Sequence, residues 1–115
     1  MPRNRRREHS MALYEAILEL KDLDQCRRFF EDLCAATELE TMEQRFDVAE
    51  LLLDDEVYTE IAKKTSASSA TISRVNRMLN FGTGCLPEVI RERKKREAGT
   101  PEAASPDGKN DGEVS

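Results

Sequence analysis

Between residues 10 and 97 the apolar positions recur at intervals of three and four, the period of helices that each bury one face. Met11, Tyr14, Ile17, Leu18 and Leu20 predict a first helix behind Ser10. Asp22 is placed to cap a second, with Leu23, Cys26, Phe29, Phe30 and Leu33 on its apolar face. The run Thr37-Glu-Leu-Glu40 reads as a capping box, in which a hydroxyl and a carboxylate each satisfy a free backbone N–H. It opens a third helix through about Asp54, striped by Leu39, Met42, Phe46, Ala49, Leu52 and Leu53. Asn80-Phe-Gly82 predicts a stop, Gly84 permits a further turn, and Pro87 predicts the first position of a last helix ending near Glu97. No segment alternates as a strand does, so the expected class is all-α with about six helices.

From Tyr58 to about Leu79 the pattern tightens into two short helices around a turn, a helix-turn-helix. Ile61, Ala62 and Thr65 face inward on the first helix, Ala67 lies in the turn, and Ile72, Val75 and Leu79 face inward on the second. Ala62 is the position where a larger side chain would keep the helices from crossing. Ser68 is a natural N-cap, because its hydroxyl can accept from a free N–H of the first turn. The outward face carries Ser69, Ala70, Thr71, Ser73, Arg74 and Arg77, groups suited to base edges and phosphates in a major groove. Ser66 occupies the turn position that usually takes glycine for a positive φ. It is expected to be strained there, or to relax into another geometry, at about 1 kcal/mol.

Charge sharpens this picture. The 115-residue chain has net charge −5, which alone would disfavour nucleic acid. Residues 8–57, however, hold 4 Lys/Arg against 15 Asp/Glu, a balance of −11, whereas residues 58–97 hold 9 against 4, a balance of +5. The basic segment is the one with the helix-turn-helix, and Arg3, Arg5, Arg6 and Arg7 add a basic arm over residues 1–9. An acidic body behind a basic reading face orients a protein on DNA, with binding that weakens as salt rises. On priors the run Arg91 to Arg96 is a solvated face first and a phosphate contact second. Residues 98–115 lack the apolar residues to fold and are expected to be a disordered tail.

Other chemistry is thin. Three cysteines, one histidine and no Cys-x-x-Cys give no expectation of a metal site or cofactor. Cys26 and Cys34, eight apart on one predicted helix, are separated by roughly 12 Å of axial rise, too far for a disulfide within it. An odd cysteine count and the lack of a secretory signal or long apolar run suggest a cytoplasmic protein, nucleoid-associated when on DNA, with no membrane partner. The Ser/Thr-rich stretch from Thr65 to Ser73 has neither a phosphate-loop pattern nor a nearby histidine base, so no enzyme is expected. About 90 folded residues in short helices leave little room for a private core, which favours a homodimer through helices one to three over a compact monomer hiding the same residues.

The motifs Cys26-Arg-Arg-Phe-Phe-Glu-Asp-Leu-Cys34, Glu38-Leu-Glu-Thr-Met-Glu-Gln-Arg-Phe46, Val48-Ala-Glu-Leu-Leu52, Tyr58-Thr-Glu-Ile61 and Ala70-Thr-Ile-Ser-Arg-Val-Asn-Arg77 resemble the Trp repressor superfamily, in particular its small YerC/YecD-type members. The resemblance spans roughly residues 10–97. It implies an intertwined all-helical homodimer with two recognition helices in successive major grooves of double-stranded DNA, acting as a transcriptional regulator, most simply a repressor. The competing reading is a helix-turn-helix that binds only protein. Carried over by position, the DNA-facing residues are Ser68, Ser69, Ala70, Thr71 and Ser73, with Thr59 and Lys63 on the preceding helix. Arg77 joins them from the outward face. The matching effector pocket would involve Gln44, Arg45, Arg74, Val75 and Met78. Val75 stands where the tryptophan-binding relative has glycine, Met78 where it has serine, and Gln44 where it has arginine. Tryptophan is therefore not expected as corepressor, and Arg74 can line a pocket for another effector or reach a phosphate.

Overall fold

A computed structural model describes residues 10–99. Its described residues form α1 (Met11–Leu18), α2 (Leu23–Leu33), α3 (Ala36–Leu53), α4 (Tyr58–Thr65), α5 (Ser69–Phe81) and α6 (Cys85–Ala98), with no strand among them. The class is all-α, as the three-and-four period requires. The basic arm expected at residues 1–9, and the expected tail beyond Gly99, lie outside the described residues. Backbone proximity separates the chain into two compact units, one ending at Thr41 and one beginning at Met42.

In the first unit, local capping sets the helices. Ser10 precedes α1 without a side-chain cap bond, and α1 ends before the expected Leu20. Asp22 caps α2 as expected, its carboxylate accepting from Gln25 N at 2.8 Å, while Gln25 Oε1 accepts from Lys21 N at 2.7 Å. The entry to α3 differs from expectation. Ala35 N donates to Glu38 Oε1 at 2.7 Å, so the helix starts at Ala36 and Thr37 lies inside it, its carbonyl accepting from the Thr41 hydroxyl. Half a capping box, supplied by Glu38 alone, satisfies the first N–H and moves the start forward. No side chain of α1 or α2 is buried; Leu18 and Leu23 are each 85% exposed, and Phe29 packs edge-on against Phe30 at 5.3 Å.

The second unit holds the core. Val48 and Ala49 of α3, Ile61 of α4, Ala67 of the turn, Ile72 and Val75 of α5 and Ile90 of α6 are buried, with Phe46, Leu52, Ala62, Leu79 and Leu86 packed against them. Asp55, in left-handed conformation at φ 63°, ends α3. Its N–H reaches Leu52 O, and Glu56 N reaches Leu51 O at 3.1 Å. This paired closure satisfies the terminal carbonyls and turns the chain toward α4. Gly84, at φ 95°, precedes α6, and Pro87 occupies the third helical position rather than the first. The first-turn N–H groups have no partner inside the helix, so proline's missing donor is tolerated there too.

Candidate nucleic-acid interface

The helix-turn-helix runs from Tyr58 to Phe81, two residues beyond its expected end. Ser66 takes the left-handed conformation, φ 63° and ψ 16°, so the strained alternative is the one adopted. Thr65 braces it. Its hydroxyl donates to Ile61 O at 2.7 Å and accepts from Ala67 N at 3.2 Å, while its carbonyl accepts from Gln44 Nε2 at 3.1 Å. Ala67 is then buried in the core, and Ser68 caps α5 by accepting from Thr71 N at 3.1 Å. A strained non-glycine persists where its surroundings over-determine it, as they do here.

With Ile72 and Val75 buried, helical geometry turns Ser69, Ala70, Ser73, Arg74 and Arg77 outward, and all five are exposed. Thr71 lies at the flank, half-buried, and its hydroxyl bonds Ser68 Oγ at 3.1 Å. Arg77 lies over the Phe81 ring, 5.8 Å from its centroid. Thr59 and Lys63 are exposed on α4, Lys63 pairing with Glu60 at 3.5 Å.

Of the residues expected to line an effector pocket, Arg74 and Met78 line one groove. Val75 is fully buried among core side chains, and the Gln44 amide donates to Thr65 O. Arg45 is half-buried on α3. The groove of Arg74 and Met78 is open, about 490 Å³, and shared with Arg77, Phe81, Leu86 and Pro87. The contact from Gln44 to Thr65 joins residues 21 apart in sequence. No local signal could have announced it.

The basic run on α6 divides in two. Arg93 bonds Glu50, and Lys94 bonds Asp54 and donates to Glu50 O at 2.9 Å, tying α6 to the end of α3. Both cations are paired within the chain, at partly exposed positions. Partial burial pushes the carboxyls of Asp47 and Glu50 above the usual range, with Arg93 opposing the rise in both. Arg91 and Arg93 are both exposed.

A short braced turn, a buried helix-crossing and an outward face of small polar and guanidinium groups define a helix-turn-helix protein. The chain matches the family model described as Trp repressor protein over residues 8–94, and it belongs to that family, one of DNA-binding regulators. It is 44% identical over 85 residues to the uncharacterized protein YerC of Bacillus subtilis (strain 168), covering 74% of this chain and 82% of the relative. The crystal structure of a TrpR-like protein from Eubacterium eligens ATCC 27750 superimposes with TM-score 0.70 at 48% identity, covering 72% of this chain and 86% of that one. Among the described residues, no helix is long and apolar enough to cross a membrane.

Proposed function

We propose that this protein is a sequence-specific double-stranded-DNA-binding transcriptional regulator, a repressor acting as a homodimer on the nucleoid. The observation that carries the reading is the outward face of α5, where Ser69, Ala70, Ser73, Arg74 and Arg77 are all exposed on a helix fixed from behind by buried Ile72 and Val75. Small side chains let the helix approach base edges closely, and the guanidiniums supply bidentate donors for guanine or phosphate. In this reading Thr59 and Lys63 contact the DNA backbone and set the register, while Ser68 and Thr71, also assigned to the DNA-facing set, hold the N-terminal turn in shape through their mutual bonds.

Dimerisation is supported by the uncovered apolar residues of α1 and α2. A second copy accounts for them, and it doubles the reading head as a two-fold operator requires. The reading is tested by selecting duplexes from a random pool and then measuring their affinity for a Ser69→Glu/Ser73→Glu variant. Two carboxylates on that face should abolish specific binding without loss of helicity. Undiminished binding by the variant would remove α5 as the reading helix. Failure of the unaltered protein to bind any duplex at low salt would favour a protein-only role.

A further inference from the structure

Thr65 is the last residue of α4, where a carbonyl has no partner inside its own helix. It is half-buried, and its carbonyl is satisfied by the Gln44 side chain, reaching across from α3. The next three residues are Ser66 in its strained left-handed conformation, Ala67 buried in the core, and Ser68 capping α5. Whatever fixes Thr65 therefore fixes the direction in which α5 leaves the turn. Behind α5, Val75 is fully buried in one cluster with Val48 and Ala49 of α3.

We propose that Gln44 is a positioning residue that holds the recognition helix in its reading orientation without a requirement for tryptophan. The proposal rests on the DNA-binding reading above. Gln44 touches no DNA; it acts through Thr65, and removing its donor leaves a half-buried carbonyl free to rotate toward water. The strained Ser66 then loses one of the contacts that hold it, and the start of α5 loosens.

The test uses the full chain, a duplex selected by the unaltered protein from a random pool, and a scrambled duplex of equal length. Without added ligand the unaltered protein should prefer the selected duplex, and saturating L-tryptophan should leave its affinity unchanged. Gln44→Met keeps length and packing but lacks a donor. It should weaken binding to the selected duplex about five- to tenfold, the worth of one hydrogen bond. Binding to the scrambled duplex and the salt dependence should stay the same, because the phosphate contacts remain. Amide exchange at Ala67 should quicken in the free protein. Should that variant melt early, Gln44→Leu, which also lacks a donor and adds no charge, supplies the same comparison. Equal preference and equal Ala67 exchange in the variants would overturn the proposal, as would an unaltered protein that prefers the selected duplex only when L-tryptophan is added. Should the unaltered protein bind neither duplex at low salt, the DNA-binding reading falls and this proposal with it. In that case the Ala67 exchange difference would still distinguish a real brace from none.

Discussion

Ser66 and Asp47 show how single residues here trade stability for geometry. Ser66 has φ 63°, a region disfavoured for any residue with a Cβ, and a glycine would occupy it without strain. Ser66→Gly should therefore raise stability by up to about 1 kcal/mol, read as a higher urea midpoint at unchanged m. The gain is reduced because glycine also has more freedom to lose on folding. Asp47 gives a pH signature. Its carboxyl is raised by partial burial, so the folded state binds the proton more tightly than the unfolded state does. Its favourable contribution is fully present below the ordinary carboxylate range and is lost as pH rises through the raised value. Asp47→Asn should accordingly stabilise the protein at pH 7 by less than about 1 kcal/mol, with the advantage fading below pH ~4; urea melts at both pH values check it. The strain at Ser66 was legible in the sequence, because a turn of this kind asks for glycine and the chain supplies serine. The shift at Asp47 was not, since it depends on how much of one carboxylate the fold happens to cover.

At the level of elements, what was legible followed the range of the interaction. Asp22 and Ser68 cap the helices the sequence assigned them, because a cap needs only residues three positions away. Pro87 and Thr37 were misplaced by two positions or fewer, since proline fits anywhere in a first turn and a glutamate can cap without a hydroxyl partner. Ile90 is masked in the sequence by the charges around it, although its spacing of four from Leu86 marks an apolar edge on α6. The ties between α6 and α3 were beyond reach, joining residues more than 40 apart. They carry a prediction of their own. Lys94→Gln removes the ammonium from Glu50 O and Asp54, and should cost about 1 kcal/mol, lowering the melting temperature. The salt dependence of DNA binding should not change, because this cation is not a phosphate contact. A slope reduced by about one would instead place Lys94 on the DNA.

For the molecule as a whole, the distribution of burial bears on assembly. Every fully buried side chain among the described residues belongs to the second unit, while α1 and α2 bury none. Yet α2 is strongly two-faced, with Arg27 and Arg28 paired to Asp24 and Glu31 on one side and Cys26, Phe29, Phe30 and Leu33 toward the other. Exposed i,i+4 ion pairs stabilise a helix by a few tenths of a kcal/mol each, roughly 0.2–0.5, too little to hold eleven residues helical without packing. Cys26, Phe29 and Phe30 are half-buried while Leu23 and Leu33 stay exposed, and the homodimer proposed above would complete the cover of this face. Sedimentation at micromolar concentration should then give twice the chain mass of 13.1 kDa. A Leu23→Glu/Leu33→Glu variant should shift to monomer, lose part of its helical circular dichroism, and bind a two-fold operator far more weakly than the parent. The second unit keeps its own core and should retain the cooperative melting of the helix-turn-helix. A parent that sediments as a monomer with α2 fully helical would refute the dimer and show that the chain covers this face by itself.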